Sequence, residues 1–204
     1  DPRVILGTVD VEADGSCMFM APANVPLALQ PLDAEGQALQ LMRSWLVGMP
    51  GERVSCTGCH EQQNLTPQSH AMMAAGKRPQ AIKPWHGPRR SFAFEREVQP
   101  VLDQSCVGCH NGKTAAKTKL GQPVPNFENT RGAGGFSTAY VNLHPYVRRN
   151  GPEGDYHLLT PLEFHADTSE LVQLLKKGHQ GVVLSPEQWD RLITWIDLNV
   201  PYWG

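Results

Sequence analysis

Short apolar runs with strand-like spacing fill the first 45 residues. Val4, Leu6 and Val9 lie in a near-alternating stretch, and Asp14-Gly15 is a turn signal ahead of Cys17-Met18-Phe19-Met20. Two further runs, Val25 to Leu29 and Gln37 to Met42, are divided by Asp33-Ala34-Glu35-Gly36. This pattern predicts a small antiparallel β unit over 1–45. From Ser44 to Arg90 no period persists. Phe94 to Ser105 then reads as a short helix with Pro100 in its first turn, delivering Cys106 at its end. Residues 111–155 read as loop, with Gly132-Ala133-Gly134-Gly135 the most flexible stretch. Two helices follow. In the first, Asp167 is the expected cap, Glu170 answers it three residues on, and Leu171, Leu174 and Leu175 form the apolar stripe; Lys176, Lys177 and Gly178 close it. The second starts at Ser185, with Pro186 in its first turn and Gln188 completing a capping box. It buries Trp189, Leu192, Ile193 and Ile196 at helical spacing and stops before Pro201.

The fold class expected is therefore α+β: a β-rich segment over 1–45, then a loop-rich, mainly helical region over 46–204. Glycine and proline, 19 and 17 residues, are too many for long elements, so the loops need something rigid to pack on.

Five cysteines sharpen this picture. Four fall into two copies of one pattern, Cys56-Thr57-Gly58-Cys59-His60 and Cys106-Val107-Gly108-Cys109-His110. The spacing C-x-x-C-H is that of a c-type haem attachment site. Two thiols three positions apart can each form a thioether to a haem vinyl group, and the next histidine reaches the iron. Competing readings remain. A zinc site would separate its cysteine pairs by about 15 to 20 residues, whereas 46 lie between Cys59 and Cys106. A thioredoxin-like dithiol would sit in a βαβ unit, and none is visible. Vicinal disulfides are possible but do not call for a following histidine twice. Two covalently bound haem c groups are expected, held by Cys56, Cys59, Cys106 and Cys109, with His60 and His110 as proximal ligands. Haem c is attached outside the cytoplasm, so an extracytoplasmic location (periplasm, cell surface or extracellular space) follows.

The sixth coordination position sets the chemistry: a second histidine or a methionine makes an electron-transferring iron, and an empty one a small-molecule site. His70, His86, His144, His157, His165 and His179 remain after the two motifs, enough for His/His ligation twice. His179, fixed just past a helix end, and His165, just before the same helix, are the expected distal ligands, with His157 and His86 in reserve. Met18, Met20, Met42 and Met49 read as β-core fillers, Cys17 as a buried apolar residue, and Trp85, Trp189, Trp195 and Trp203 as packing against core or haem edges.

Charge is close to balance, 18 basic against 20 acidic residues, so no basic face for nucleic acid is expected. No apolar run approaches the roughly 18 residues needed to cross a bilayer, and no membrane span is expected. The chain opens at Asp1, which points to a processed form.

Glu97-Val98-Gln99-Pro100-Val101-Leu102 leading into Cys106–His110 resembles a cytochrome module of multihaem proteins. Leu174-Leu175-Lys176-Lys177-Gly178-His179 and Thr194-Trp195-Ile196-Asp197-Leu198-Asn199-Val200-Pro201 resemble the C-terminal dihaem region of proteins related to the hydrazine synthase alpha subunit, as does the run from Asp14-Gly15 to Pro50-Gly51-Glu52. The resemblance implies two c-type haems behind a β portion. In that family a catalytic haem is bound by a tyrosine a few residues beyond its C-x-x-C-H. Here His60 is followed by Glu61-Gln62-Gln63-Asn64-Leu65, without a tyrosine, which leaves the electron-transfer role. The expected function is electron transfer, as a carrier rather than an enzyme. Its expected partners are redox proteins or identical neighbouring subunits, the latter as a homopolymer in an extracellular filament. The alternative is a haem enzyme with an open coordination site, hydrazine-synthase-like or peroxidase-like.

Overall fold

Phe92 and Phe94, both excluded from solvent, bracket the start of the best-packed stretch of the chain. The structure, a computed structural model, describes residues 2–42, 44–58, 71–151 and 159–204. The chain forms two compact units. One comprises Asp1–Arg3, Pro31–Leu41 and Ser91–Gly204; the other comprises Val4–Gln30 and Met42–Arg90.

Among its described residues the first unit holds five α-helices: α1 (Phe94–Glu97), α2 (Gln99–Ser105), α3 (Thr138–Leu143), α4 (Glu170–Lys176) and α5 (Pro186–Asp197). The single helix expected over 94–105 divides at Val98. Pro100 explains the break: it has no N–H to give the carbonyl of Arg96, and its ring crowds that carbonyl. It is tolerated in the first turn of α2, where no donor is needed. In α3, within a stretch expected to be loop, the Ser137 side chain accepts the Tyr140 N–H as a cap. In α5 the Ser185–Gln188 capping box and the proline in the first turn form as the sequence indicated. Leu192, Ile193 and Ile196 are buried there, and Trp195, with no exposed surface, takes the central place expected of Trp189. Around Trp195 pack Phe94, at 5.3 Å between ring centres, and Tyr140, at 6.1 Å.

Two expectations for α4 are corrected. Ser169, not Asp167, stands at its N-cap; Asp167 lies inside a 3₁₀ turn, Ala166–Thr168, capped by His165. The buried residue is Val172, while Leu174 is 42% exposed. That turn points the helix differently from the orientation the leucine spacing implied.

The small antiparallel β unit expected over 1–45 is absent, so the α+β class does not hold. Among the described residues of 1–45 there are only isolated bridges, Thr8–Lys83, Phe19–Gln80 and Leu27–Leu46 in the second unit and Leu32–Ala38 in the first. Pro22, Pro26 and Pro31 remove donors that a ladder needs. The alternating residues also lack a common face to bury: Val4, Val11, Met20 and Leu29 are all exposed. Met20 and Met49 are likewise no core fillers, and Cys17 is exposed rather than buried. Close backbone approach replaces sheet packing here. Gly7, at φ 133°, would place a β-carbon 1.9 Å from the Lys83 carbonyl oxygen, so only glycine fits beside the Thr8–Lys83 bridge.

Among the described residues no helix is long and apolar enough to cross a membrane.

Candidate functional site

The second motif grows out of the end of α2. The N–H groups of Cys106 and Val107 both bond the Leu102 carbonyl, and those of Cys109 and His110 both bond the Cys106 carbonyl. These bonds wind Cys106, Cys109 and His110 into one tight turn. Both thiols are free, so this pair is not a disulfide. Burial pushes the Cys106 thiol up to about 11, leaving it neutral at pH 7. A thioredoxin-like dithiol requires the opposite shift.

His110 is held on three sides. Its carbonyl accepts the Phe127 N–H at 2.8 Å. Its ring stacks on Phe127, centres 4.6 Å apart and planes 18° from parallel. Its Nδ1 lies 2.8 Å from the Pro125 carbonyl oxygen. A carbonyl only accepts, so Nδ1 carries the proton and Nε2 keeps its lone pair. A carbonyl partner of this kind orients a metal-binding histidine. Gln99 supports the platform from α2, donating to the Phe127 carbonyl at 3.0 Å, and Asn142 from α3 donates to the Asn126 carbonyl at 2.9 Å.

His179 comes to the same place from the other direction. α4 ends at Lys176, and Gly178, at φ 85°, turns the chain in the left-handed region. The His179 ring centre then stands 6.0 Å from that of His110. Metal–imidazole bonds of about 2.0–2.1 Å on each side, with the reach from nitrogen to ring centre added, span nearly this distance. Two thiols, one oriented histidine and a second histidine ring at this distance are the donor set that a covalently attached haem needs. Among the described residues no three His, Cys, Asp or Glu side chains converge as a ready-made metal site; an iron carried in a macrocycle needs only two axial donors from the protein.

The other expected ligands are placed differently. His165 has partners on both ring nitrogens: Nδ1 accepts the Asp167 N–H at 3.3 Å and Nε2 faces Asp33 Oδ2 at 3.0 Å. Asp33 also accepts the N–H groups of Glu35 and Gln37, so His165 fastens the 33–37 turn beside α4. His144 is half-buried, with its pKa lowered by burial and by Arg149; its ring centre is 5.4 Å from that of Tyr140. Cys56 is exposed, in the second unit. Cys59, His60, His70 and His157 lie outside the described residues. His86, also in the second unit, contacts the Trp85 ring edge-on at 5.2 Å. Pro125 and Phe127, which orient His110, lie in the stretch read as loop; a backbone carbonyl leaves no trace in a sequence.

The hydrazine synthase alpha subunit middle domain matches residues 1–61. The chain is similar to the hydrazine synthase alpha subunit. The Kuenenia stuttgartiensis subunit is 22% identical over 202 aligned residues, which take in 74% of this chain and 25% of that protein. The solved Kuenenia stuttgartiensis hydrazine synthase superposes with a TM-score of 0.63 at 22% identity, covering 94% of this chain and 32% of that one. At this identity the superposition establishes a shared fold. The chain spans about a quarter of the length of the curated relative.

Proposed function

We propose that this chain is a dihaem c-type cytochrome that transfers electrons outside the cytoplasm. The observation that carries the reading is the approach of His179 to His110, the oriented histidine of the Cys106/Cys109 turn. Cys106 and Cys109 would hold one haem by thioethers, with His110 and His179 as the histidines that would ligate its iron. Haem iron with two histidine ligands supplies a low-spin one-electron couple. The chain's own groups do the rest. The Pro125 carbonyl fixes the His110 ring and raises the basicity of its free nitrogen. Phe127 prevents that ring from turning, and the winding of Cys106–His110 keeps the ligand set rigid between oxidation states. Cys56, Cys59 and His60 hold the second haem, with His86, a histidine of the same unit, as its distal ligand. Redox proteins are the partners, and identical subunits joined in an extracellular filament are one form such a partnership takes.

A second reading follows from the likeness of residues 1–61 to the hydrazine synthase middle domain: the first motif serves a haem with an open position for a small nitrogen compound or peroxide. Optical spectra of the purified chain, oxidised and reduced, with and without carbon monoxide, separate the two. Two low-spin c-type haems indifferent to carbon monoxide support the carrier. A high-spin component that shifts with carbon monoxide moves the first haem to the enzyme reading. Absence of covalent haem from the intact mass of chain isolated from a cytochrome c-maturing host overturns both.

A further inference from the structure

The C-terminal residues Tyr202 and Trp203 join an aromatic chain that the haem reading does not use. Trp203 is 65% exposed, Tyr202 is 7% exposed, and their ring centres are 4.7 Å apart, edge to face. Tyr202 lies 5.0 Å from Tyr140, which lies 6.1 Å from the fully buried Trp195. Tyrosine and tryptophan are the side chains whose rings lose one electron most readily after thiols and thiolates. Their separations here are van der Waals contacts, across which electron tunnelling is fast.

The hydroxyl partners separate the two tyrosines. The Tyr140 hydroxyl donates to the Val200 carbonyl at 2.8 Å, and an amide oxygen is too weak a base to take a phenolic proton. The Tyr202 hydroxyl donates to Glu95 Oε1 at 2.9 Å, and Glu95 is exposed at the first turn of α1. Oxidation makes a phenol strongly acidic, so a tyrosine gives up an electron readily only where a base stands ready.

We propose that Tyr202 is a proton-coupled redox site, reached from solvent through Trp203, with Glu95 as its proton acceptor. An outer-sphere one-electron oxidant of high potential takes an electron from the Trp203 indole. The indole cation recovers it from the Tyr202 ring as the Tyr202 O–H bond breaks and the proton passes to the Glu95 carboxylate. A neutral phenoxyl and a neutral indole remain, and one electron from an outer-sphere one-electron reductant, with the proton from Glu95, restores the start. Tyr140, lacking a base, is not the resting place of the radical. This site does not rest on the haem reading.

The test is flash-quench oxidation of the full chain as isolated, in its oxidised state, with a ruthenium polypyridyl photo-oxidant, the radical being trapped by freezing for electron paramagnetic resonance. Wild type gives a phenoxyl signal that forms severalfold more slowly in deuterated water. Tyr202→Phe abolishes it and Tyr140→Phe retains it. Glu95→Gln, a surface change that leaves the packing intact, replaces it with an indole signal. Only an indole radical in wild type, a phenoxyl undiminished in Tyr202→Phe or in Glu95→Gln, or an equal loss in Tyr140→Phe overturns the assignment.

Discussion

The histidines differ in what their second ring nitrogen touches, and this sorts them better than their place along the chain. The His110 and His179 ring centres lie 6.0 Å apart, whereas His165, also expected as a ligand, has Asp33 on one nitrogen and the Asp167 N–H on the other. Substitution should separate these roles. His179→Ala is expected to convert one haem of the pair to a high-spin, carbon monoxide-binding form. His165→Gln is expected to leave the spectrum unchanged while lowering the melting temperature, because it releases the 33–37 turn. A spectral change in the His165 variant and none in the His179 variant would reverse the assignment. The two C-x-x-C-H motifs stand out from spacing alone. The approach of His179 to His110 does not, because it is a relation between distant segments. His179 had a local signal in the glycine that precedes it; His165 had one in its place just before the same helix, and its commitment to Asp33, 132 positions away, could not be read.

At the scale of elements, capping chemistry carried further than apolar spacing. Ser185, Pro186 and Gln188 specify the start of α5, and the structure has the full reciprocal box, with Gln188 N–H bonded to Ser185 Oγ at 3.2 Å and Ser185 N–H to Gln188 Oε1 at 2.8 Å. Gln188 also reaches Gln104 on α2 at 3.0 Å, so this cap steadies the helix that delivers Cys106. Ser185→Ala is expected to cost about 1 kcal/mol, seen as a lower urea midpoint with an unchanged m-value; a change within error would mean the box contributes nothing. The strand expectation failed for the converse reason. Val4, Leu6 and Val9 lie in a near-alternating stretch, but a period of two makes a strand only when one face is covered and a neighbour accepts the ladder. With Pro22, Pro26 and Pro31 interrupting, the chain closes single bridges instead. α3 was missed because six residues give too little periodicity to see, though its cap, Ser137, was in plain view.

At the scale of the molecule, one buried carboxylate links the stability of the first unit to pH. Asp197, 5% exposed at the end of α5, accepts the Ala38 N–H at 2.8 Å and so ties the 31–41 segment to the C-terminal helix. Burial raises its pKa to about 7, with Asp33 and Asp190 adding to the rise and His165 and the Ala38 bond opposing it. The unfolded chain releases this proton near pH 4. Between these values the folded state holds a proton that the unfolded state has lost. The resulting stability is complete below pH 4, declines as pH rises, and is gone above about 7. Asp33, whose pKa is lowered by its bonds to Gln37, His165 and Glu35 against the opposing effect of burial, acts in the reverse sense and only in stronger acid, where its contribution is lost. His144, lowered by burial, favours folding as pH rises toward 6.5 and partly masks the Asp197 decline in the wild-type curve. The difference between wild type and Asp197→Asn cancels His144, whose shift comes from burial and Arg149, and the asparagine oxygen can still accept the Ala38 N–H. Urea unfolding from pH 4 to 8 should therefore show wild type losing stability relative to the variant by a few kcal/mol, with the loss levelling off above neutrality. A difference that is constant across this range would mean that Asp197 is already ionised in the folded state at pH 4, and that the carboxylate under Ala38 is stabilised by its neighbours more than burial penalises it.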